Sequence, residues 1–309
     1  MKWKTDRGLV ARQLNAWTIL LGLFTGMVIA LAFIFTMFGM TGTYFYLTMI
    51  AISLGFALIQ FFISDKLVLW TTGSKIVSEE EEPELYAMVR KLSSDAGVPM
   101  PKVAVMRSPV PNAFATGRSP RHSVVAVTTS IRNMLTRQEL EAVLAHEITH
   151  IKCRDVLTMT IGSFIVMIAA AIMSRAWVIY HLSNNSNDDS AKSGILLALG
   201  LIAVSFVVRV VGTLVTLAIS RYREFSADRG SAYITRNPDA LIRALTKITD
   251  GVQATPADSK RQISGANSFF IIPAISGESI LELFSTHPSL EKRIANLEKV
   301  KDEMNRGYY

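Results

Sequence analysis

The sequence predicts an α-helical integral membrane protein with four hydrophobic segments and two polar blocks, which are mainly helical and contain a small β-sheet. Half of the 309 residues are apolar and only 18% are charged, whereas soluble chains carry about 25% charged residues. The mean hydropathy is +0.32, and the apolar residues are concentrated in four long runs. The same composition excludes a disordered chain, and a single cysteine excludes a disulfide scaffold.

Each hydrophobic segment is justified by its length. Segments 16–40 and 43–63 contain no charged side chain, and both reach the roughly 20 residues that a bilayer core requires. The first is too long for the apolar core of a secretory signal, about 7–15 residues, so we expect an uncleaved span. Segment 156–174 is close to the minimum, so whether it spans fully is open. Segment 195–219 carries one charge, Arg209, to which no role is assigned.

The positions of Lys and Arg predict the orientation. Residues 1–15 carry four of them and the turn at 41–42 carries none, which predicts a cytoplasmic N-terminus by the positive-inside rule. Loop 175–193 is then external, and both termini of this multi-pass protein of the cell (inner, cytoplasmic) membrane are cytoplasmic. The predicted division is an N-terminal tail with two transmembrane helices (1–63), a first cytoplasmic block (64–155), the third and fourth segments (156–219) and a second cytoplasmic block (220–309).

The first polar block shows helix signals on both sides of a short β region. A capping-box pattern at Ser78–Glu81 precedes a helical apolar stripe. Three apolar runs separated by prolines follow and predict a small antiparallel sheet of hairpins, at 103–106, 112–117 and 124–127. A second capping box, Thr136–Glu139, starts a helix that meets no glycine or proline before Gly162. We therefore expect this helix to continue directly into the third hydrophobic segment.

That helix carries a pattern typical of metal-dependent hydrolysis, His146-Glu147-Ile-Thr-His150. Two histidines at i and i+4 lie on one helix face and can hold one Zn²⁺, while Glu147 can reach a water at the metal as general base. The alternative is a pair of exposed or capping histidines. A zinc site would make the polar blocks a cytoplasmic, mainly helical zincin-type protease domain containing a small β-sheet.

A catalytic zinc requires a third protein ligand and an open position. Glu224 follows the fourth segment and lies on the same predicted side of the membrane as His150, whereas His181 lies on the opposite side. Asp228, at i+4 from Glu224, is well placed to accept from a ligating imidazole. Ordinary helix surface charge is the alternative for this pair. Cys153 could in principle be a fourth ligand, but it would close a site that must stay open.

Together these features closely resemble the HtpX family of membrane zinc endopeptidases, which are relatives of the CAAX prenyl peptidases. The resemblance rests on two N-terminal spans, the histidine motif, the Glu224-Phe-Ser-Ala-Asp228 segment and a late Thr286-His-Pro-Ser-Leu-Glu-Lys-Arg293 segment. It covers nearly the whole chain. It implies one zinc ion per chain held by His146, His150 and Glu224, with Glu147 as catalytic base, and a role in stress response and quality control of misfolded membrane proteins.

The resemblance also implies two further groups of site residues. His287 and Arg293 match the spacing by which the CAAX relatives stabilise a tetrahedral intermediate. Pro288 is suited to the first position of a helix, which would make His287 a cap residue, and a cap histidine with a solvated arginine is the alternative. Asn112 and Ala113 would contact substrate on an edge strand, where an extended peptide can pair by β-augmentation. A plain core strand is the alternative there.

The favoured function is thus hydrolysis of membrane proteins or unfolded polypeptides at the cytoplasmic face by a zinc metalloendopeptidase. A CAAX prenyl-type peptidase and a non-catalytic zinc-dependent scaffold or holdase remain alternatives. The net charge of +7 could indicate nucleic-acid binding, but no motif supports it, and the basic N-terminal flank favours an orientation signal. Substrates, cleavage preference, regulation and oligomeric state have no signal in the sequence.

Overall fold

The computed structural model describes residues 7–37, 55, 58–59, 62–63, 66, 68–185, 190–256 and 287–307. The described chain is mainly helical, with one small mixed sheet. It divides into two compact units, one formed by residues 1–10, 62–158 and 220–309 and the other by 11–61 and 159–219. All the predicted site residues belong to the first unit.

Three of the described helices are long and apolar enough to cross a membrane. They are α1 (Arg7–Met37), α5 (Asp155–Asn184) and α6 (Ser190–Thr235). The 30 residues of α5 extend about 45 Å at 1.5 Å per residue, well beyond the predicted segment 156–174. The predicted segment 43–63 falls largely outside the described residues.

The second unit packs these helices through small residues. A Cβ at Gly162 would be in van der Waals contact with Thr216, and a Cβ at Gly212 would lie 3.0 Å from Val166. Leu20 of α1 is fully buried in the same cluster. Such close approach is how helices associate in lipid, where apolar surface alone gives no driving force.

The first unit contains a four-stranded sheet and the shorter helices. Its elements are β1 (Lys75–Ile76), α2 (Pro83–Ala96), β2 (Lys102–Met106), β3 (Ala113–Gly117), β4 (Ser123–Thr128), α3 (Thr129–Met134), α4 (Arg137–Lys152), α7 (Pro238–Ala254) and α8 (Leu290–Asn305). The largest apolar core joins α2, α4, α7 and one face of the sheet. A smaller cluster covers the other face.

The sheet is mixed, so the prediction of antiparallel hairpins is wrong for one pair. The strand order is β1-β2-β4-β3, β2 and β4 run parallel, and β3 pairs antiparallel with β4. Every residue of β4 is buried, as is typical of a strand covered on both faces. The order leaves β3 at one edge of the sheet.

Two predicted helix starts lie further along the chain than the sequence suggested. Ser78 and Glu81 exchange the capping-box hydrogen bonds, but they close a turn and α2 begins only at Pro83. Proline disfavours helical geometry in the residue before it, and Glu82 has φ −140°. Similarly, α8 begins at Leu290 with Ser289 as its cap residue, so Pro288 and His287 precede the helix.

The predicted continuous helix from Thr136 into the third segment is also wrong. Its capping box is confirmed, but α4 ends at Lys152 and α5 starts at Asp155. Between them Arg154 takes a left-handed backbone conformation with φ 56°, which reorients the chain without glycine or proline. Asp155 thereby becomes the first residue of a new helix.

Candidate metal centre and active site

The helix α4 presents both histidines and Glu147 to the interior of the first unit. His146 and Glu147 are buried, and His150 is half-buried. The two imidazole rings are nearly perpendicular, and their Nε2 atoms face each other at 3.1 Å. This arrangement follows from the i, i+4 spacing on one helix face.

Glu224 of α6 completes a triangle of three candidate ligand residues. Its Oε2 lies 3.5 Å from His146 Nε2 and its Oε1 lies 3.4 Å from His150 Nε2. Four ligands at zinc distances in a tetrahedron are about 3.3 Å apart, so these separations fit one tetrahedral ion. His146, His150 and Glu224 therefore could hold a metal ion, and three protein ligands leave one position open.

The contact between α6 and α4 depends on a glycine. A Cβ at Gly230 would lie 2.3 Å from Thr149 Cγ2 and 2.5 Å from its Oγ1, so only glycine permits this approach. One residue further, the Ser231 hydroxyl donates to the Ala142 carbonyl of α4 at 2.6 Å. These contacts flank the ligand triangle and fix Glu224 against the two histidines.

Each histidine Nδ1 contacts a buried carboxylate. Asp228 Oδ1 lies 3.0 Å from His146 Nδ1, and Asp155 Oδ2 lies 2.5 Å from His150 Nδ1. Such partners fix the tautomer and ring orientation of metal-binding histidines. Burial lowers the pKa of His146, but its hydrogen bonds to the carboxylates of Asp228 and Glu224 outweigh burial and raise the pKa. The surroundings thus favour positive charge, which a divalent cation would supply.

The sequence analysis missed Asp155 and the residue that supports it, Arg223. The Nε of this buried arginine lies 2.9 Å from Asp155 Oδ1. Arg223 directly precedes Glu224 in the chain. Helix α6 therefore carries a candidate ligand, Glu224, and also the arginine that orients Asp155, the carboxylate that contacts His150. An acidic residue at i+5 from His150 was the only sequence signal for Asp155, and it is weak on an uninterrupted helix.

Glu147 lies against the edge strand β3. The backbone N–H of Ala115 donates to its carboxylate, and burial raises the pKa of this carboxyl above its ordinary value. Asn112 is buried immediately before β3, where its N–H donates to Thr128 Oγ1, and Ala113 pairs with Val127 of β4. The predicted substrate residues therefore lie at the start of the strand that contacts Glu147.

His287 and Arg293 adjoin the same carboxylates. His287 Nδ1 lies 3.1 Å from Glu224 Oε2, and Arg293 contacts that oxygen at 3.5 Å. Arg293 is buried and donates to both oxygens of Asp228, at 2.6 and 2.9 Å. Burial alone would lower the pKa of Arg293, but the Asp228 carboxylate outweighs it and raises the pKa. The guanidinium is therefore charged and fixed in orientation.

Comparisons with known proteins agree with this geometry. The pattern that defines peptidase family M48 matches residues 79–301. Protease HtpX homolog 2 of Methanosarcina acetivorans is 46% identical over 308 residues, which is 98% of this chain and 99% of that protein. Protease HtpX homolog of Moorella thermoacetica is 46% identical over 255 residues, which is 82% of this chain and 83% of that protein.

A solved structure shows the same fold. The crystal structure of S. mikatae Ste24p superposes with a TM-score of 0.55 at 18% identity, covering 95% of this chain and 67% of that chain. The family match and the identity to the HtpX homologues confirm the resemblance seen in the sequence. The chain belongs to peptidase family M48 and, within it, to the HtpX type of membrane metalloprotease.

Proposed function

We propose that the chain is a membrane-bound zinc metalloendopeptidase that binds one Zn²⁺ through His146, His150 and Glu224. The single observation that carries the proposal is the triangle of ligand residues next to a buried glutamate: the two histidine Nε2 atoms lie 3.1 Å apart, and each lies 3.4 or 3.5 Å from a Glu224 carboxylate oxygen. Two imidazoles and a carboxylate favour Zn²⁺ over harder ions. When bound, the ion would supply Lewis-acid chemistry, polarising the scissile carbonyl and making an attacking water more acidic.

Glu147 is the proposed general base. It takes a proton from the attacking water and delivers it to the leaving amine. The raised pKa of its carboxyl, caused by burial, makes the carboxylate a stronger base towards the water, and the protonated carboxyl then has a proton to deliver to the leaving amine. Asp228 positions the His146 ring, which keeps its Nε2 directed at the metal position.

The substrate is proposed to bind as an extended strand along β3. In the antiparallel ladder with β4, the carbonyl of Asn112 accepts from Thr128 N–H at 2.9 Å, so alternation directs the backbone groups of Ala113 and Ala115 away from β4. An extended peptide can pair with the N–H and carbonyl of Ala113 and with the carbonyl of Ala115, whose own N–H donates to Glu147. Asn112 and Ala113 would then contact the peptide close to Glu147.

His287 and Arg293 are proposed to stabilise the negative charge that develops on the carbonyl oxygen. Both adjoin Glu224 Oε2, so both lie close to the proposed metal position. Preorganised donors are effective because they do not have to reorient during the reaction. The double contact with Asp228 preorganises Arg293 in this way.

We propose that the enzyme cleaves membrane proteins or unfolded polypeptides at the cytoplasmic face of the cell (inner) membrane, in protein quality control. The basic N-terminal flank supports this orientation, and the three apolar helices support a multi-pass protein. The HtpX-type relatives support proteolysis. On this proposal both termini and the blocks 64–155 and 220–309 are cytoplasmic.

The test uses the purified full chain in detergent with zinc and an unfolded model substrate. Glu147→Gln should retain bound zinc and reduce kcat by roughly 10²- to 10⁴-fold, the usual contribution of a general base. Glu141→Gln, the same change on the same helix, is the matched control and should retain activity. Glu224→Ala should lose zinc as well as activity. Wild-type proteolysis by Glu147→Gln would refute the proposed mechanism.

A further inference from the structure

A cleft of about 510 Å³ opens beside His150. One of its walls is the C-terminal half of β3, Ala115–Gly117, and another is the end of α4. It therefore adjoins both the strand on which a substrate would pair and one of the candidate metal ligands. We name it the basic cleft after its four positively charged lining residues, Arg118, Arg121, Lys152 and Arg154.

The residues that line the basic cleft carry more positive than negative charge. Asp155 is the one acidic residue among those that line it. That carboxylate is buried, and its two oxygens contact His150 and Arg223. Among the described residues, no acidic side chain forms an ion pair with Arg121 or Arg154. A cleft lined by one sign of charge with low-dielectric walls concentrates the field and attracts groups of opposite charge.

Two of the four basic side chains are held in the walls by contacts with neighbouring residues. The Arg118 guanidinium lies 5.6 Å from the ring centroid of Phe62, and Lys152 Nζ donates to the Ala96 carbonyl at 2.8 Å. Gly117 has φ 134°, and a Cβ there would lie 2.2 Å from the His122 carbonyl oxygen. This glycine lets the 118–121 loop fold back beside β3, which brings Arg118 and Arg121 to the cleft.

We propose that the basic cleft is a substrate subsite that takes an acidic side chain, so that the enzyme prefers Asp or Glu close to the scissile bond. The inference rests on the proposed function, because it requires a peptide paired along β3. A peptide is favoured over an anionic lipid headgroup because the cleft is continuous with β3 and reaches His150. Side chains of a strand project alternately to its two faces, so one substrate position, or two positions separated by one residue, would enter the cleft.

The experiment measures kcat/KM for an unstructured model polypeptide with one cleavage site. A single Glu is moved through the four positions on each side of that site, and each peptide has a Gln counterpart. At one or two positions the wild type should cleave the Glu peptide roughly 3- to 10-fold better, as expected for partly exposed ion pairs reinforced by neighbouring charges. The preference should shrink as salt rises from about 0.05 to 0.5 M, because screening shortens the range of the attraction.

Two variants of one exposed cleft residue identify the source of the preference. Arg121→Gln should reduce the Glu/Gln ratio and Arg121→Glu should reduce it further or invert it. Lys299→Glu makes the same charge change on the exposed face of α8, away from the cleft, and should leave the ratio at the wild-type value. Thermal unfolding of each variant shows whether it is folded. If Arg121→Glu does not fold, the Glu/Gln ratio of Arg121→Gln provides the test.

Four results would overturn the inference. A Glu/Gln ratio near one at every position in the wild type excludes an acidic subsite, while Glu147-dependent cleavage of the Gln peptides would leave the proposed function intact. An unchanged ratio in both Arg121 variants places the preference elsewhere. An effect of Arg121→Glu that appears only in phosphatidylglycerol bilayers, and not in detergent or phosphatidylcholine, identifies a lipid headgroup site instead. If no peptide is cleaved, the proposed function fails together with this inference.

Discussion

Gly230→Ala tests whether the close approach of α6 to α4 holds the metal ligands in place. The added Cβ would lie 2.3, 2.5 and 2.9 Å from three side-chain atoms of Thr149. Ordinary carbon contacts are about 3.5–4.0 Å, so the two helices would have to separate by roughly 1 Å or more. Thr149 cannot easily turn away, because a β-branched side chain is stiff at χ1 and its hydroxyl donates to the Ala145 carbonyl.

Two effects oppose each other in the expected stability change. Replacing glycine by alanine in a helix gains about 1 kcal/mol from helix propensity, whereas overpacking a close contact costs about 1–3 kcal/mol. Three contacts below 3.0 Å argue for the upper part of that range. We therefore expect a net loss of about 1–2 kcal/mol in the free energy of unfolding. Zinc affinity should fall by roughly tenfold, because Glu224 moves with α6 and ligand distances tolerate only about 0.2 Å.

The assay is a double-mutant cycle with Thr149→Ala, which removes two of the three clashing atoms. Unfolding in detergent and zinc affinity are measured for the wild type, both single variants and the double variant. The double variant should recover about 1 kcal/mol or more relative to additivity, as residues in direct contact do. Gly22→Ala is the control, since its Cβ meets no described atom within 4 Å. Strict additivity, or a Gly230→Ala variant as stable as that control, would refute the role of this contact.

Three more predictions concern buried charges. Asp228→Asn leaves Arg293 buried without its carboxylate, so the free energy of unfolding should fall by about 3–5 kcal/mol in denaturant titration, and Arg293→Met should restore part of it. Asp155→Asn should weaken zinc binding roughly 10- to 100-fold in competition with a chelating dye while the chain stays folded. Burial opposes ionisation of Glu139, but its contacts with Lys247 and with the cap residue Thr136 lower its pKa. The wild type should therefore have a larger free energy of unfolding than Glu139→Gln above pH of about 4.3, and this difference should be lost as the pH falls further. A difference that does not change with pH in denaturant titrations would contradict this prediction.

The parts of the fold that the sequence predicted depend on neighbours in the chain. The capping box at Thr136 acts within one helical turn, and it forms as predicted. The histidines at i and i+4 share a face because helix geometry requires it. Strand pairing depends on distant residues, so the apolar runs of β2 and β4 revealed buried strands but not their parallel register, in which Val103 lies opposite Val125.

Proline explains the displaced start of α2 in equally local terms, because the sequence contains the information. Ser78 and Glu81 form the capping-box hydrogen bonds, but the helix begins only at Pro83, because the residue before a proline avoids helical geometry. The rule that proline favours the first helical position outweighed the capping-box pattern here. The same rule fails at Pro288, where Ser289 takes an extended conformation with ψ 154° and the helix starts one residue later.

The break between α4 and α5 at Arg154, which the sequence analysis did not predict, brings Asp155 into the candidate metal site. On an uninterrupted helix a residue at i+5 is rotated about 140° from its reference, so Asp155 would point away from His150. The left-handed turn at Arg154 instead brings its carboxylate to 2.5 Å from His150 Nδ1. Arg223, which directly precedes Glu224, contacts the other oxygen of the Asp155 carboxylate. The first residue of α5 and the late part of α6 therefore fix the orientation of His150 together. The turn therefore places Asp155 against His150, and the contacts of Asp155 with His150 and Arg223 offset the cost of the left-handed conformation at Arg154.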